Sequence, residues 1–540
     1  MNIRFIRNIL LILLFLILSI IYYLWQSFDD TIVKKKYILS KNITENSKQK
    51  KEYLTKKYNN TDYFQYPKIR IKTDVLDINL NLLNGNISYA ALLKYPNKLH
   101  SKNPIVLLDN KGNKYIAESG IYSEKIPEKI IFNTKNNKNF YKLIPKEKQL
   151  KVNLYWKKNK ISIIKEYIFT RGKYDIIVNY IIKNDTQKPF TVKFYNQLVR
   201  KIPDKKKNFF FSYSNDMETA ISTSNEHFQK ITFKEISKKN LNLISKGGWI
   251  AMIQHYFISA WIPNTKQENL FYTKDLGNNI YCIGLENSKN TVYSNSKIFN
   301  FSKIYIGPAK SDYLASVAPH LELTINYGFL WFISLLIFHT MSWIYNIVGN
   351  WGWSIVLVTL LIKLIFYPLS AKSYRAMAKM RNLQPKIQGL KDRLANDKKA
   401  LGQAIIELYK KEKVNPLGGC LPILIQIPVF IGLYYMLVYS VELRQAPWAF
   451  WIHDLSVKDP YYILPIIMGI SMLIQQKMNP SNSVDSLQEK ILLIIPIVFT
   501  LMFLSMPSGL IIYWTVNNFV TILQQWYIIN NINNKSNVAK

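Results

Sequence analysis

The sequence predicts a polytopic α-helical membrane protein with six transmembrane helices, carrying one large all-β domain outside the cytoplasm. Three observations lead there. Apolar residues make up 49% of the 540, and they gather into one block near the N-terminus and several between 325 and 529. The polar stretch between those blocks alternates with the period two of β-strands. The loop 371–418 holds twelve Lys/Arg against four acids, net +8 over 48 residues, which marks it as cytoplasmic.

Length allows two to four domains. The formal charge of +37 would suggest nucleic acid in a soluble protein. Here lysine is abundant in spacers and strands alike, so the charge reads as a chain-wide bias suited to anionic lipid headgroups, and no DNA partner is expected. Cys282 and Cys420 fall in different regions, on opposite sides of the membrane in the topology below, so no disulfide framework follows.

The chain opens with Arg4 and Arg7 before seventeen uncharged residues, 9–25. A cleaved signal peptide is the rival reading, but the run ends Tyr22-Tyr23-Leu24-Trp25, bulky where a cleavage site wants small residues. An uncleaved anchor over 1–29 with a cytoplasmic N-terminus is expected. Residues 30–60 are polar and lysine-rich, too poor in apolar surface to fold alone, and read as a linker.

The β domain is placed at 61–324. Runs such as 167–170 and 175–182, split by Gly172-Lys173, and 190–195 after Pro189 are its clearest strands. GGWIAMIQHYFISAWIP at 247–263 is its densest apolar stretch. His255 within it has no second histidine at metal-ligand spacing and reads as structural. No nucleophilic triad or carboxylate pair can be placed in this domain, and neither enzyme chemistry, metal nor cofactor is expected.

Residues 325–348 are uncharged and long enough to span. Only Gly349-Asn350 separates them from the next apolar run, so an interfacial helix over 325–349 is preferred to a crossing. Parity agrees: a crossing there would put the +8 loop outside or misplace Arg4 and Arg7. The core is placed at 350–529. Its spans are 351–367, 421–440, 461–476, 491–506 and 510–527, and a tail at 530–540 follows. The loop 371–418 reads as two helices, about 373–394, interrupted by Pro385, and about 399–411. Met377, Met380, Leu383, Ile387, Leu390 and Leu394 form an apolar stripe on the first that needs a cover.

Lys363 is the one mid-segment charge in the five C-terminal spans. From Trp351 to Tyr367, twelve of seventeen residues are Trp, Ile, Leu, Val or Phe. An ammonium there marks a functional site by default. Thr359, four residues earlier, shares its helical face. Gln426 also lies toward the cytoplasmic end of its span. Together they suggest a polar cavity in the inner half of the membrane; the plainer alternative for each uncharged residue is a helix–helix hydrogen bond.

The segments PLSAKSYRAMAKMRNLQPKIQ (368–388), KVNPLGGCLPILIQIP (413–428), YYMLVYSVELRQAPWAFWIHDLSVKDPYYILP (434–465) and PSGLIIY (507–513) closely resemble the Gram-negative type of the YidC/Oxa/Alb family of membrane protein insertases. GGWIAMIQHYF, AWIP and Ala318-Pro319-His320 do so as well, and the similarity covers nearly the whole chain. The resemblance implies an inner-membrane insertase and chaperone with a periplasmic β-supersandwich and a cytoplasm-open hydrophilic groove. Its partners would be nascent membrane proteins, the Sec translocase (SecYEG and SecDF), the ribosome, targeting factors such as the signal recognition particle receptor, and membrane lipids.

By motif, Lys363 stands where the family usually has its groove arginine. Lysine keeps the charge and loses the planar donor fork. Substrate-contacting positions would map onto Thr359, Ile427, Phe430, Tyr513 and Trp514, with Gln426 as a further polar groove residue. The basic hairpin face, Lys379, Arg381, Lys386, Lys391 and Arg393, would meet ribosome or targeting factors. A small-solute transporter and a structural assembly platform are the competing readings; a transporter would show inverted repeats between its halves, and none is visible.

Overall fold

The computed structural model describes residues 66–110, 114–203, 217–394, 397–412, 414, 421–478 and 486–538. The anchor expected at 1–29, the linker at 30–60 and Cys420 lie outside them. The described residues fall into two compact units that divide after Ile325.

The first unit is built on two sheets, of eleven and nine strands. The alternation seen in sequence is the burial pattern itself. Ile161–Thr170 and Asp175–Asn184 bury every second residue and pair antiparallel, Ile176 opposite Phe169 and Ile182 opposite Ile163. Gly172, at φ +73°, turns between them. Side chains bridge the sheets, since Trp261 of the nine-stranded sheet donates its indole N–H to the Gln197 carbonyl of the other at 3.2 Å. The dense stretch at 247–263 forms the hairpin Trp249–Gln254 and Phe257–Pro263, buried almost throughout, with His255 at its turn.

Lys165 lies wholly buried on the same face as Ile161, Ile163, Tyr167 and Phe169. Its ammonium donates to the carbonyls of Asn84, Gly85 and Ser119 at 2.9, 3.1 and 3.1 Å. Three donors meet three acceptors, which lets a charge sit between sheets. Burial still pushes its pKa well below the usual lysine value, and Glu118 opposes that shift. Cys282 is also buried there; its thiol donates to Gln197 Oε1 at 3.3 Å, and burial pushes its pKa up to about 12. Two short α-helices, α1 (Phe233–Lys238) and α2 (Ser311–Val317), accompany the sheets in this unit.

The second unit begins with α3 (Trp331–Val348) and α4 (Trp351–Ile365). The tight turn between them is made of two caps. Gly349 adopts φ +70° and donates its N–H to the Tyr345 carbonyl at 2.7 Å, while the Asn350 side chain accepts from Trp353 N at 3.1 Å. On α3, Ser334, Ile337, Phe338, Met341 and Ile344 are buried, whereas Trp331, Leu336, Trp343 and Ile347 are exposed.

After α4 the chain bends by 67° into α5 (Tyr367–Asn382), whose first turn holds Pro368. A second break precedes α6 (Gln384–Arg393), started by Pro385, and α7 (Lys398–Lys411) returns along it. The apolar stripe finds its cover there. Met380, Leu383 and Ile387 pack against Leu401, Ile405, Tyr409 and Val414, with Met377, Leu390 and Leu394 at the margin. Lys386 bonds Glu412 at 2.7 Å across the pair.

Four further helices follow, α8 (Leu421–Tyr439), α9 (Ile463–Met478), α10 (Ser486–Phe503) and α11 (Ser508–Val538). Asp459, fully buried before α9, accepts from Trp451 Nε1 at 3.0 Å, Tyr461 N at 3.0 Å and Leu464 N at 2.8 Å. Several boundaries differ from expectation, among them those of α10 and α11. Helix α10 begins five residues earlier than 491. Helix α11 runs on to Val538, into the tail expected at 530–540, because a helix already nucleated propagates cheaply even through asparagine.

By length and apolarity alone, one described helix could cross a bilayer, α3, or two if the bent pair α4 and α5 is counted as one span. The sequence reading of six spans is finer than that. The difference lies in length, since the apolar parts of α8, α9 and α10 are Gln426–Tyr439, Ile463–Met478 and Ile494–Phe503.

Candidate functional site

Helices α4, α8 and α11 converge on a small recess, with room for about one water, floored by the start of α5. Its polar lining is Thr359, Lys363, Ser370, Gln426, Tyr513 and Asn517; Ile362, Phe366, Leu369 and Val429 supply the apolar part. The structure therefore brings together Thr359, Lys363, Gln426 and Tyr513, which sequence reasoning had singled out on three separate spans.

Lys363 stands in the last turn of α4 and is 4% exposed. A cation is favoured there because the C-terminal carbonyls of a helix carry partial negative charge. Its ammonium donates to Thr521 Oγ1 at 2.7 Å, and that hydroxyl donates in turn to the Asn517 carbonyl at 2.7 Å. Among the described residues Lys363 has no carboxylate partner in ion-pair reach. An uncompensated charge beside unfilled polar space attracts a polar or acidic group that can enter it.

Thr359 shares the face of Lys363 and donates to the Ile355 carbonyl at 2.6 Å. Tyr513, Asn517 and Thr521 follow one another at intervals of four on α11 and so present a single polar stripe. Thr521 was missed in the sequence reading, although that spacing from Tyr513 and Asn517 was there to find it. Ser370, at the start of α5, was missed too.

Ile427, Phe430 and Trp514 fall beside the recess rather than in its lining. The Phe430 ring lies 4.8 Å from Trp514 and 6.4 Å from Tyr513, and Trp514 packs on against Phe499 and Phe503. Phe430, Trp514, Phe499 and Phe503 form an aromatic wall joining α8, α10 and α11. Asn518 is not part of the recess lining and donates to Ser471 Oγ at 2.9 Å, a hydrogen bond between α11 and α9.

On the hairpin, Lys379, Arg381, Lys386 and Arg393 are exposed and Lys391 is half-buried. The base of the hairpin is fixed elsewhere, where Ala371 and Tyr374 pack against Ile528, flanked by Met377 and Ile532.

Residues 68–340 match the family model described as the YidC periplasmic domain, and residues 343–535 match that of the 60Kd inner membrane protein. Proteins named membrane protein insertase YidC are similar over most of their length. The one from Legionella pneumophila (strain Corby) is 49% identical over 466 residues, covering 85% of this chain and 84% of that protein. Its counterpart from Nitrosococcus oceani is 44% identical, covering 86% and 85%. That from Coxiella burnetii (strain RSA 331 / Henzerling II) is 43% identical, covering 85% and 82%.

Proposed function

We propose, on the footing that this chain belongs to the YidC family of inner-membrane protein insertases, that it receives its substrates at the recess around Lys363. The chain is a membrane protein insertase and chaperone of the inner membrane, with a helical membrane region and a large periplasmic β domain. What is proposed is where and how it acts. The observation that carries the reading is the buried Lys363 ammonium, held by a neutral hydroxyl and facing polar, unfilled space.

A segment crossing a bilayer must bring its polar flank through hydrocarbon, and each unsatisfied backbone group there costs several kcal/mol. Thr359, Gln426, Ser370 and Asn517 offer that flank hydrogen-bond partners part of the way across. Lys363 favours acidic or polar flanks over basic ones. The apolar segment behind the flank would slide along Phe430, Tyr513 and Trp514 toward lipid, with Ile427 at the same edge.

Helix length adds to the effect. At 1.5 Å per residue, the fifteen residues of α4 span only about 22 Å, less than a hydrocarbon core of about 30 Å. A bilayer drawn in to match shortens the polar path. In this reading α4, α8, α9, α10 and α11 with the N-terminal anchor are the six spans, both termini are cytoplasmic, and α3 lies along the outer interface. The half-buried, aromatic-rich character of α3 supports its place there. The exposed basic face of the hairpin suits the ribosome and targeting factors, and the Sec translocase would share larger substrates.

The test is complementation of insertase-depleted cells with Lys363→Ala and Lys363→Arg, scoring insertion of a small Sec-independent membrane protein. Arginine should support insertion and alanine should impair it. Full insertion with alanine would remove the charged recess from the mechanism.

A further inference from the structure

The connection between α8 and α9 contains an apolar turn that its own residues brace and leave uncovered. Its stretch 446–452, APWAFWI, has no charged side chain, whereas turns are ordinarily polar. Trp448 N donates to the Ile452 carbonyl at 3.0 Å, Ile452 N to that of Ala449 at 3.1 Å, and Leu455 N to that of Ala446 at 3.0 Å. Trp451 Nε1 is held by the buried Asp459 at 3.0 Å. The turn is also fastened to the starts of two helices. The Asn350 side chain, just before α4, donates to the Trp448 carbonyl at 3.0 Å, and Gly509 N of α11 donates to the Leu455 carbonyl at 3.0 Å.

At the apex of this braced turn stands Phe450, 83% exposed, at φ +54°. Left-handed backbone is easy for glycine and tolerable for asparagine, but it strains a bulky side chain. Elsewhere the chain respects that preference. Among the described residues fourteen other than glycine have positive φ, and seven of them are asparagine. Only Phe450 and Tyr462 in that set carry a phenyl or phenol ring, and both belong to this connection. A backbone outlier kept in place by a network of bonds points to a use for the side chain it presents.

What covers the ring follows from the surface it continues. Trp448 packs edge-on against Trp353 at 5.7 Å, and from Trp353 an exposed apolar face of α4 runs through Leu357, Leu360 and Leu364. On a membrane helix such a face meets lipid, and the turn extends it past the first residue of α4. A soluble partner would be met with charge, and 446–452 offers none; the boundary between acyl chains and headgroups suits uncharged aromatic rings. We propose that this turn is an anchor in the outer leaflet, with the Phe450 ring seated among lipid glycerol and acyl groups, and that it pins the outer bilayer surface to the start of α4. Pinned there, the bilayer conforms to the length of α4, about 22 Å, instead of relaxing to its own thickness. This assignment rests on the topology and the thinning proposed above, and supplies the part that holds the outer leaflet in place.

The full chain bearing Cys420→Ser and Phe450→Cys would be spin-labelled and reconstituted in phosphatidylcholine–phosphatidylglycerol vesicles, with the buried Cys282 left unlabelled. The label should collide with oxygen more than with a water-soluble nickel chelate, the reverse of a label placed by Lys98→Cys on an exposed loop of the β domain. A label that nickel reaches as freely as the one at 98, or that protein shields from both reagents, would overturn the anchor. For function, Phe450→Gly keeps the turn, relieves its backbone and removes only the ring. Its insertion rate should match the wild type in thin dimyristoleoyl bilayers and fall severalfold in thick dierucoyl ones, with Phe450→Trp close to the wild type in both. Equal loss at both thicknesses, or no loss at either, would overturn the pinning role. Failure of the recess reading shows separately, as normal insertion by Lys363→Ala at both thicknesses with the label depth unchanged.

Discussion

Thr521→Val removes the hydroxyl that orients the recess cation and that also contacts the Tyr374 side chain and the Asn517 carbonyl. Valine matches threonine in shape, so the packing of α11 on α4 is retained while the acceptor of the Lys363 ammonium disappears. The bond is short, 2.7 Å, and both residues are 4% exposed. A hydrogen bond to a charged group in such a place contributes about 1.5–3 kcal/mol, which corresponds to roughly 10- to 150-fold in a rate or equilibrium constant. Lysine is flexible and stands in the last turn of its helix, so it can swing toward water and recover part of the loss. The expected defect is therefore near the lower end, about tenfold slower insertion. The assay is protease protection of a pulse-labelled small Sec-independent substrate in depleted cells, at matched insertase levels. Thr521→Ser should restore the rate, and Thr521→Val should add little once Lys363→Met is present, because the two then remove one interaction. Wild-type insertion by Thr521→Val, or full additivity with Lys363→Met, would refute the reasoning.

Other consequences can be measured on the same protein. Ile387→Ala in the hairpin core should cost about 2–4 kcal/mol locally and make 384–411 the first site of limited proteolysis, with the β domain unaffected. Asp459→Ala orphans an indole N–H and two backbone N–H groups, so hydrogen exchange at Tyr461 and Leu464 should quicken by at least tenfold. With Cys420 replaced by serine, Cys282 should resist iodoacetamide at pH 9 until the domain unfolds. Its folded pKa, about 12 against an ordinary 9, means the folded state holds the proton longer. That contribution is complete below pH 9 and falls away from pH 9 toward 12, at up to about 1.4 kcal/mol per pH unit, and Cys282→Ala should flatten the alkaline limb.

Much of this architecture could be read from residue order because its causes are local. The alternation at 161–184 dictates which faces meet, and the stripe from Met377 to Leu394 demanded a second helix, which α7 supplies. Lys363 drew notice because no span tolerates a bare charge cheaply. Lys165 escaped for the opposite reason. Among strands rich in lysine it reads as one more solvent-facing residue, and only the phase set by Ile161, Ile163, Tyr167 and Phe169 puts it inside. Its acceptors come from residues 46, 80 and 81 positions away, distances over which sequence pattern carries no signal. Thr521 escaped because its partner is 158 residues distant. The packing of Trp514 against Phe499 and Phe503 was not legible, since side-chain neighbours depend on which helices pack and not on their order.

The two breaks around α5 have a mechanical consequence. Ala371 and Tyr374 are clamped to the last helix at Ile528, so the root of the hairpin moves with the bundle. Beyond Leu383 the chain is held chiefly by its own partner helix and has no comparable anchor among the described residues. A load applied to the tip is therefore borne at Leu383–Pro385, as on an elbow, and only the torque that this joint fails to absorb reaches the 67° bend beneath Lys363. The stiffness of those few residues sets how strongly a load at the hairpin tip can deform the recess above it.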